Sequence, residues 1–325
     1  MLTGRRGIGG SDAAAVLGIS PFMTGRDLYY DKLGISAAAD DENWVAKEIG
    51  HRLEPLVAEI FSKRTGLKVF QKKFMFQHPQ YPWMLADLDY LVELPDGSIA
   101  ILECKTSTSN SSENWWYAGK EIVPAYYESQ GRHYMAVMNY SKTFFCCLFT
   151  DTREAIIRGI DRDMAYEEEL IALEDTFWNE NVVKQLPPEY TENGDLVMKS
   201  VQRLLGPAAT DAPPVVITPP QFSRVKKFMQ LQEQKSGFDA EIKKLDKEMA
   251  RLKALIVADM GNSCKALYED AEGNYTITYN PVYKQSIPKE GLDRLKAVHP
   301  EIYSEYVKTS ESRRFLVKKV SDSAA

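Results

Sequence analysis

Apolar residues in the first third of the chain follow a pattern that predicts two strands joined by a tight turn. The segments Trp83–Leu94 and Ser98–Thr106 are both strand-like, and the Pro-Asp-Gly sequence between them is typical of a turn. We therefore expect the two segments to pair as an antiparallel hairpin. Side chains alternate between the faces of a strand, so residues two apart share a face.

Three charged residues of this hairpin are arranged as Asp-x13-Glu-x-Lys, namely Asp89, Glu103 and Lys105. Glu103 and Lys105 share one face of their strand, while Cys104 points to the other face as a small core residue. Asp89 closes the first apolar strand and can lie on the same face as Glu103. Alternation alone does not separate Asp89 from Asp87, which shares its strand face.

Two carboxylates and a lysine suit the hydrolysis of a phosphodiester. Carboxylate oxygens bind a hard cation such as Mg²⁺, and the backbone carbonyl of Cys104 can act as another oxygen ligand. The metal polarises the phosphate and lowers the pKa of a bound water, which the lysine can orient or help to deprotonate. Taken alone, however, Glu-x-Lys on a strand is a common triplet that usually marks a solvated face.

Two helical segments carry further candidate residues. Apolar residues at helical spacing predict a helix over about Glu42–Thr65, and Glu54 falls beside its apolar stripe. A carboxylate buried there needs a partner or a metal; the alternative is a boundary glutamate that faces solvent. The segment Pro124–Val137 predicts an amphipathic helix with Gln130 and Arg132 on its polar face. The alternative is a packing helix whose polar side faces water.

The motif RRGIGGSD, residues 5–12, precedes the helix-like sequence AAAVLG. Ser11 is a good N-cap candidate, and glycines before a helix let the backbone approach an anion that the free N–H groups bind. Arg5 and Arg6 add positive charge for a phosphate. The alternative is a plain glycine loop with a capped helix, because the pattern is neither a Walker A nor a dinucleotide-binding fingerprint.

In their order along the chain, five stretches resemble the YqaJ viral recombinase family, the lambda-type phage exonucleases: RRGIGGSDAAAVLG, GHRLEPLVAEIF, MLADLDYLV, ILECKTS and YYESQGRHYMAV. The resemblance implies the α/β fold of the PD-(D/E)XK nucleases, a mixed sheet flanked by helices with the acids on the central strands. It also implies Mg²⁺-dependent 5′→3′ exonuclease action on double-stranded DNA, in which Mn²⁺ can substitute for Mg²⁺.

The resemblance implies a catalytic set, carried over residue by residue, of Glu54, Asp89, Glu103, Lys105 and Gln130. Within this set Asp89 and Glu103 match the metal positions, and the motif favours Asp89 over Asp87. Glu54 matches the acid on the family's helix, and Gln130 matches the helix glutamine that supports the site.

The resemblance also implies a pocket for the terminal 5′-phosphate, formed by Ser11 with Arg5 or Arg6. The choice between the two arginines stays open, because the family's arginine usually stands slightly further upstream. Arg132 occupies the place of a second helix glutamine and adds a cation near the expected DNA backbone.

Composition sets outer limits. The net charge of the 325-residue chain is −6, which does not indicate DNA binding, although the acidic segment Asp151–Asp211 can lie away from the DNA. No apolar run is long enough to span a bilayer, and no signal-peptide core follows the first residues. The four cysteines lack CxxC spacing, which argues against zinc, disulfides and a four-cysteine iron–sulfur cluster. We expect a protein of the bacterial cytosol, encoded by a phage or prophage by resemblance.

Further along, Thr143–Phe149 and Glu154–Ile160 predict two strands. Asp161–Asn181 predicts a closing helix whose Glu167-Glu168-Glu169 run marks a solvated face. A segment rich in proline and alanine then predicts a semi-rigid linker. The expected organisation is a nuclease domain, a linker, a helix and a small α+β region, at residues 1–204, 205–220, 221–260 and 261–325.

Six apolar residues of the predicted C-terminal helix form a heptad seam: Phe238, Ile242, Leu245, Met249, Leu252 and Ile256. Lys235 interrupts the seam, so we expect a short coiled coil or a two-helix hairpin rather than a long rod. A helix packed on its own domain is the alternative. The tail Lys265–Val320 predicts strand, turn, strand, helix and strand, with tyrosines that either pack or contact single strands.

The residues of the site predict a metal-dependent phosphodiesterase, and the family resemblance implies an exonuclease that resects linear duplex ends to leave 3′ single strands for phage-type recombination. The resemblance adds a ring-shaped homo-oligomer, a trimer, and a single-strand annealing protein as partner. The alternatives are an endonuclease on the same fold and a nuclease-derived DNA-binding protein that has lost catalysis.

Overall fold

The computed structural model describes residues 7–35, 44–206, 213–270, 273–283 and 287–307. The chain forms two compact units, Met1–Thr210 and Asp211–Ala325. No described helix combines the length and the apolar character that a membrane span requires. Arg5, Arg6 and the last strand predicted for the tail lie outside the described residues.

The first unit alternates helices with short strands. Its helices are α1 (Gly10–Val16), α2 (Gly25–Lys32), α3 (Trp44–Thr65), α4 (Ala125–Met138), α5 (Met164–Thr176) and α6 (Gly194–Leu205). Its strands are β1 (Ile8–Gly9), β2 (Lys68–Phe70), β3 (Met75–Gln77), β4 (Met84–Asp87), β5 (Tyr90–Glu93), β6 (Ile99–Ser107), β7 (Trp116–Tyr117), β8 (Lys120–Glu121), β9 (Lys142–Phe149) and β10 (Glu154–Asp161). A 3₁₀ helix spans Ser109–Trp115, and a π-helical segment, Phe177–Val183, continues α5.

The main sheet has the strand order β10-β9-β6-β5-β2. Strands β6 and β9 pair in parallel, whereas the other neighbours in this sheet are antiparallel. A smaller sheet has the order β1-β4-β3, and β7 pairs with β8. This mixed sheet flanked by helices is the α/β fold class that the sequence predicts.

The central strand β6 faces a different layer on each side. On one face Glu103 and Lys105 are hydrogen-bonded to Gln130 of α4. On the other face Cys104 is buried in a cluster with Phe61 of α3 and Cys146 of β9. The predicted alternation along this strand is confirmed, and Cys104 is a core residue.

The predicted hairpin is confirmed as β5 and β6, but its first strand is shorter than expected. Trp83–Leu94 is not one strand, because β4 ends at Asp87 and β5 begins at Tyr90 in a different sheet. The chain breaks here because β4 pairs with β1 and β3, whereas β5 pairs with β6 and β2. Asp89 therefore lies in the break and does not close a strand.

Helix α1 begins before Ser11, so the prediction that Ser11 is the N-cap is wrong. Gly9 is the N-cap, and its N–H donates to Asp12 Oδ2 at 2.9 Å. The start is set by β1, which pairs residues 8 and 9 with β4. Gly10 has to be glycine, because a Cβ there would lie 2.4 Å from the Tyr134 ring. Ser11 consequently lies in the first turn, exposed.

The predicted strands Thr143–Phe149 and Glu154–Ile160 are confirmed as the antiparallel pair β9 and β10. The acidic run in the following helix is not wholly solvated. Glu167 is buried and pairs with Arg162 at 2.6 Å, while the two glutamates that follow are exposed. Arg162 lies in the segment before the helix, so the helical pattern of the acidic run does not reveal it as the partner of Glu167.

A buried ion pair joins α4 to α5. His133 and Glu174 are both fully buried, and His133 Nδ1 lies 2.9 Å from Glu174 Oε1. His133 Nε2 lies 2.9 Å from the carbonyl oxygen of Leu85. Both ring nitrogens face acceptors, so both donate and the imidazole is positively charged. Burial alone lowers the pKa of His133, but the Glu174 carboxylate outweighs burial and raises this pKa.

Glu174→Gln is expected to destabilise the first unit by about 3 kcal/mol, near the lower end of the cost of breaking a buried ion pair. Because the folded-state pKa of His133 is raised from 6.5, its pairing stabilises the fold fully below that value. The stabilisation is lost as pH rises through the folded-state pKa, and the variant should lack this loss. Urea unfolding followed by tryptophan fluorescence at several pH values measures the free energy of unfolding of the first unit. All five tryptophans lie in this unit, within residues 44–178.

Glu168→Gln, an exposed change in the same helix, is the matched control for Glu174→Gln. It should leave both the free energy of unfolding and its pH dependence unchanged. A Glu174→Gln variant that behaves like this control would contradict the charged pairing of His133.

The second unit is built on one long helix. Helix α7 runs without interruption over Pro219–Met260, 42 residues. It is followed by the hairpin β11 (Lys265–Asp270) and β12 (Gly273–Thr278) and by helices α8 (Lys289–Val298) and α9 (Pro300–Tyr306). Of the two expected forms, the two-helix hairpin is wrong, because α7 is one long helix, and the coiled coil stays a prediction. Lys235 does not end the helix, because lysine is a good helix former and is exposed here.

Candidate active site

The candidate site lies where strand β5 stops covering β6. Strand β5 begins at Tyr90, opposite Leu102. Asp89 immediately precedes β5, and its side chain continues the contact with β6. Asp89 Oδ2 accepts a hydrogen bond from the Cys104 N–H at 2.9 Å. The N–H and C=O of one strand residue point to the same edge, so the Cys104 carbonyl also faces Asp89.

Glu103, Lys105 and Gln130 form a closed triangle of hydrogen bonds. Lys105 Nζ donates to Glu103 Oε2 and to Gln130 Oε1, each at 2.9 Å. Gln130 Nε2 donates to the same Glu103 oxygen at 2.7 Å. The other oxygen, Glu103 Oε1, is buried and has no hydrogen-bond partner in the described part of the chain. Such an unpaired buried group costs about 1–3 kcal/mol or more, which a cation bound to Oε1 would offset.

The charged groups of the site are poorly solvated, and each shifts the pKa of the others. Burial raises the pKa of Glu103 to about 8; Asp89 adds to this rise and Lys105 opposes it. Burial also raises the pKa of Asp89. Burial alone lowers the pKa of Lys105, but the Glu103 and Asp89 carboxylates outweigh it and raise this pKa. A divalent cation would relieve the repulsion between the two carboxylates.

The available donors fit Mg²⁺. Glu103 Oε1, an Asp89 oxygen and the Cys104 carbonyl are hard oxygen donors, and Mg²⁺ is usually held by one or two carboxylates while it keeps several waters. A site for a softer metal would need more nitrogen or sulfur ligands. Within the described ranges, no group of three His, Cys, Asp or Glu side chains could hold a metal ion. Any metal here would therefore keep much of its coordination as water.

Aromatic residues support Lys105. Its Nζ lies 5.1 Å from the centroid of the Tyr127 ring, and Tyr127 packs on the buried Trp115 at 5.8 Å. Burial raises the pKa of Tyr127 to about 12, so this ring stays neutral beside the ammonium group. The ammonium group has three N–H donors, of which Glu103 and Gln130 accept two. Among the residues that the structure describes, this leaves one donor for a water or a phosphate oxygen.

Glu54 approaches the site from helix α3. Its side chain is 27% exposed, and its Oε1 lies 2.9 Å from His51 Nδ1. Its charge contributes to the raised pKa of both Asp89 and Glu103, so it lies near these two carboxylates. Glu54 is thus a half-buried boundary residue that also acts electrostatically on the site.

Arg132 is not brought into this cluster. Two residues along an α-helix correspond to a turn of about 200°, so Arg132 points away from Gln130. It pairs with Glu128 at 2.6 Å and stacks on the Tyr166 ring at 4.5 Å. The expectation that Gln130 and Arg132 share a polar face is wrong, because Gln130 is buried against β6.

A cleft of about 360 Å³ adjoins the cluster. It is lined by Gly10 and Ser11 of the N-terminal motif, by Lys32 and Tyr134, and by three aspartates, Asp12, Asp31 and Asp87. The Tyr134 hydroxyl accepts a hydrogen bond from Gln130 Nε2 at 3.4 Å, so Tyr134 touches both the cleft and the triangle. Sequence reasoning missed Tyr134, although its position four residues after Gln130 places both on one helix face.

The mixed sheet, with Asp89 just before β5, Glu103 and Lys105 on β6 and Gln130 on the covering helix α4, defines a PD-(D/E)XK nuclease core. The predicted fold is therefore confirmed. Residues 3–141 match the model of the YqaJ-like viral recombinase domain, which confirms the predicted family resemblance. Over 323 residues the chain is 29% identical to the uncharacterized protein YqaJ of Bacillus subtilis (strain 168), covering 98% of this chain and 92% of that protein.

Solved structures show partial similarity. One is the structure of LHK-Exo, an alkaline exonuclease from Laribacter hongkongensis, in complex with dAMP. It is 19% identical to this chain and has a TM-score of 0.45, and the match covers 62% of this chain and 96% of that chain. A phage-related exonuclease from Haemophilus somnus 129PT is 13% identical, covering 55% of this chain and 96% of that chain, with a TM-score of 0.40.

Proposed function

We propose that this protein is a Mg²⁺-dependent exonuclease that degrades linear double-stranded DNA in the 5′→3′ direction and leaves 3′ single strands. The observation that carries the proposal is the buried, unpaired Glu103 Oε1 beside Asp89 and Lys105. A catalytically dead binding protein has no reason to bury an uncompensated carboxylate oxygen, since replacing it would remove the cost.

In this proposal Asp89, Glu103 and the Cys104 carbonyl hold the metal. When bound, Mg²⁺ supplies polarisation of the scissile phosphate and a water of lowered pKa. Lys105 directs its remaining N–H toward the attacking water or the phosphate, and Gln130 and Tyr127 fix the lysine in that position. Glu54 adds negative charge near the carboxylates and so favours the bound cation.

Digestion of linear and closed circular duplex DNA in the presence of Mg²⁺ tests this function. An exonuclease degrades the linear form and spares the circle. Nicking of the circle would show an endonuclease on the same fold, and an intact linear substrate would show a binding protein without catalysis. Mn²⁺ is expected to replace Mg²⁺ in this assay, since its oxygen-ligand preference is similar.

We further propose that the cleft beside Tyr134 receives the 5′ end of the DNA. The described cleft lining is acidic, with three aspartates and one lysine, and Lys32 is already paired with Asp12 at 2.6 Å. A terminal phosphate therefore needs the positive charge of Arg5 or Arg6, with Ser11 as a hydrogen-bond donor. A ring-shaped trimer and a single-strand annealing partner stay predictions of the family resemblance.

Duplex DNA with a 5′-phosphate is expected to be degraded roughly tenfold faster, or more, than the same duplex with a 5′-hydroxyl. The reason is that a hydrogen bond to a charged group contributes about 1.5–3 kcal/mol. The triple variant Ser11→Ala, Arg5→Ala and Arg6→Ala should lose most of this preference and keep slow cleavage. Initial rates on matched substrates measure both effects; equal wild-type rates would remove the end-binding role of the motif.

A further inference from the structure

Helix α7 carries an apolar stripe that the described residues leave uncovered. None of its side chains is buried, and the six seam residues are 44–67% exposed, namely Phe238, Ile242, Leu245, Met249, Leu252 and Ile256. At 42 residues the helix is roughly 63 Å long. Helices owe most of their stability to packing of an apolar face, and soluble proteins rarely expose large contiguous apolar surfaces. The stripe therefore requires a partner.

We propose that the partner is a second copy of the same helix, in a parallel two-stranded coiled coil. The residue identities carry this choice. The spacing places Ile242, Met249 and Ile256 at the a positions of the heptads and Phe238, Leu245 and Leu252 at the d positions. Isoleucine at a with leucine at d favours parallel dimers over trimers and tetramers.

Lys235 occupies the a position that precedes the seam. A single lysine at an a position lowers the stability of a coiled coil but specifies its register and its number of strands. The residue that interrupts the seam is thus consistent with a dimer of defined alignment. It also explains why the strong part of the contact begins at Phe238.

The flanking charges permit this pairing. In a parallel coil a residue at g lies beside the e residue of the other copy, five positions further along. Glu248 then meets Lys253 of the second copy with opposite charge, whereas Glu241 meets Asp246 with like charge. Attraction and repulsion nearly cancel, so the apolar seam drives association and one substitution can improve it.

The mass of the full chain in solution, measured by light scattering after gel filtration, tests the dimer. Leu245→Asp with Leu252→Asp should halve the wild-type mass, because charges replace two seam contacts. Both leucines are exposed within one chain, at 65% and 49%, so the substitutions remove no described packing. The matched control is Ala240→Asp with Ala254→Asp, on the opposite side of α7, which should keep the wild-type mass.

Orientation is tested with Cys264, which is exposed just after α7, while the other three cysteines are buried. A short bis-maleimide should link Cys264 to its counterpart in the wild type and not in the double leucine variant. An antiparallel pair would hold the two thiols roughly 60 Å apart and prevent the link. Asp246→Lys should tighten the dimer by about tenfold, since it turns like charges into opposite ones.

Three results would overturn the proposal: a monomeric wild type, a mass ratio of three between the wild type and the leucine variant, or a mass that the leucine variant does not change. A wild-type dimer without cross-linking would overturn the parallel arrangement. If the first unit also forms a three-fold ring, the wild type is a hexamer and the variant a trimer, and the ratio of two still holds. These measurements therefore test the coiled-coil dimer independently of the nuclease activity.

Discussion

Glu103→Gln is expected to lower the rate of DNA cleavage at least about a thousandfold, because metal-ion stabilisation of the transition state is worth several kcal/mol. Glutamine has nearly the same shape as glutamate. Its carbonyl oxygen can accept the hydrogen bonds that Lys105 and Gln130 now donate to Glu103 Oε2. Its amide nitrogen then takes the place of the unpaired Oε1 and cannot bind a cation.

The same substitution should not damage the fold. Burial raises the pKa of Glu103 to about 8, so the ionised carboxylate is costly to bury and a neutral amide is easier to bury. The free energy of unfolding of Glu103→Gln should therefore stay close to that of the wild type, because the easier burial of the amide offsets the lost ion pair with Lys105. Asp89→Asn should show the same loss of rate, because it removes the other anionic group that we propose as a metal ligand.

Asp87→Asn is the control for these two variants. Asp87 lies at the end of β4, exposed and in the cleft, while Asp89 is bonded to the Cys104 N–H. The cleavage rate of Asp87→Asn should therefore change far less than the cleavage rate of Asp89→Asn. Single-turnover cleavage of linear duplex with Mg²⁺ is the measurement. Near wild-type turnover of Glu103→Gln would refute the proposed metal site. A larger loss of rate in Asp87→Asn than in Asp89→Asn would make Asp87, and not Asp89, the metal ligand.

Lys105→Ala should lower the single-turnover rate by about 10²–10⁴-fold, the range typical of a positioned group that takes part in proton transfer. DNA binding should weaken far less, because Lys105 is mostly buried, at 16% exposure, and its charge is already paired with Glu103. Binding can be measured in the Glu103→Gln background, where cleavage is absent. Comparing Glu103→Gln with the Glu103→Gln, Lys105→Ala double variant isolates the contribution of the lysine to affinity.

Lys142→Ala is the matched control for this lysine. Lys142 begins strand β9 in the same sheet, pairs with Asp161 and is 29% exposed. Its loss should change neither the cleavage rate nor the binding appreciably. If Lys105→Ala abolished binding while the single-turnover rate survived, the lysine would be a phosphate clamp and not part of the chemistry.

Several features followed from the sequence because they depend on neighbouring residues alone. The β5–β6 hairpin follows from two apolar segments around a Pro-Asp-Gly turn, and the β9–β10 pair arises in the same way. Alternation along one strand was enough to place Glu103 and Lys105 on one face and Cys104 in the core. The ordered motifs added Asp89, Glu54 and Gln130, because motif order carries information that periodicity lacks.

Other features depended on contacts between segments distant in sequence. The apolar run Trp83–Leu94 looked like one strand, and only its division between two sheets showed that Asp89 lies in a break. Ser11 looked like a cap, but the pairing of β1 with β4 moved the start of helix α1. The buried pair of His133 and Glu174 had no local signal strong enough to predict it.

The sequence by itself therefore determined the type of most main elements and the shared strand face of Glu103 and Lys105, since local propensity and side-chain alternation act over a few residues. Only the tertiary structure decided which face of α4 meets β6, so that Gln130 joins the site and Arg132 turns away to Glu128. It also left Glu103 Oε1 buried without a partner. Burial and hydrogen-bond satisfaction are set by the whole fold, and no pattern along one segment contains them.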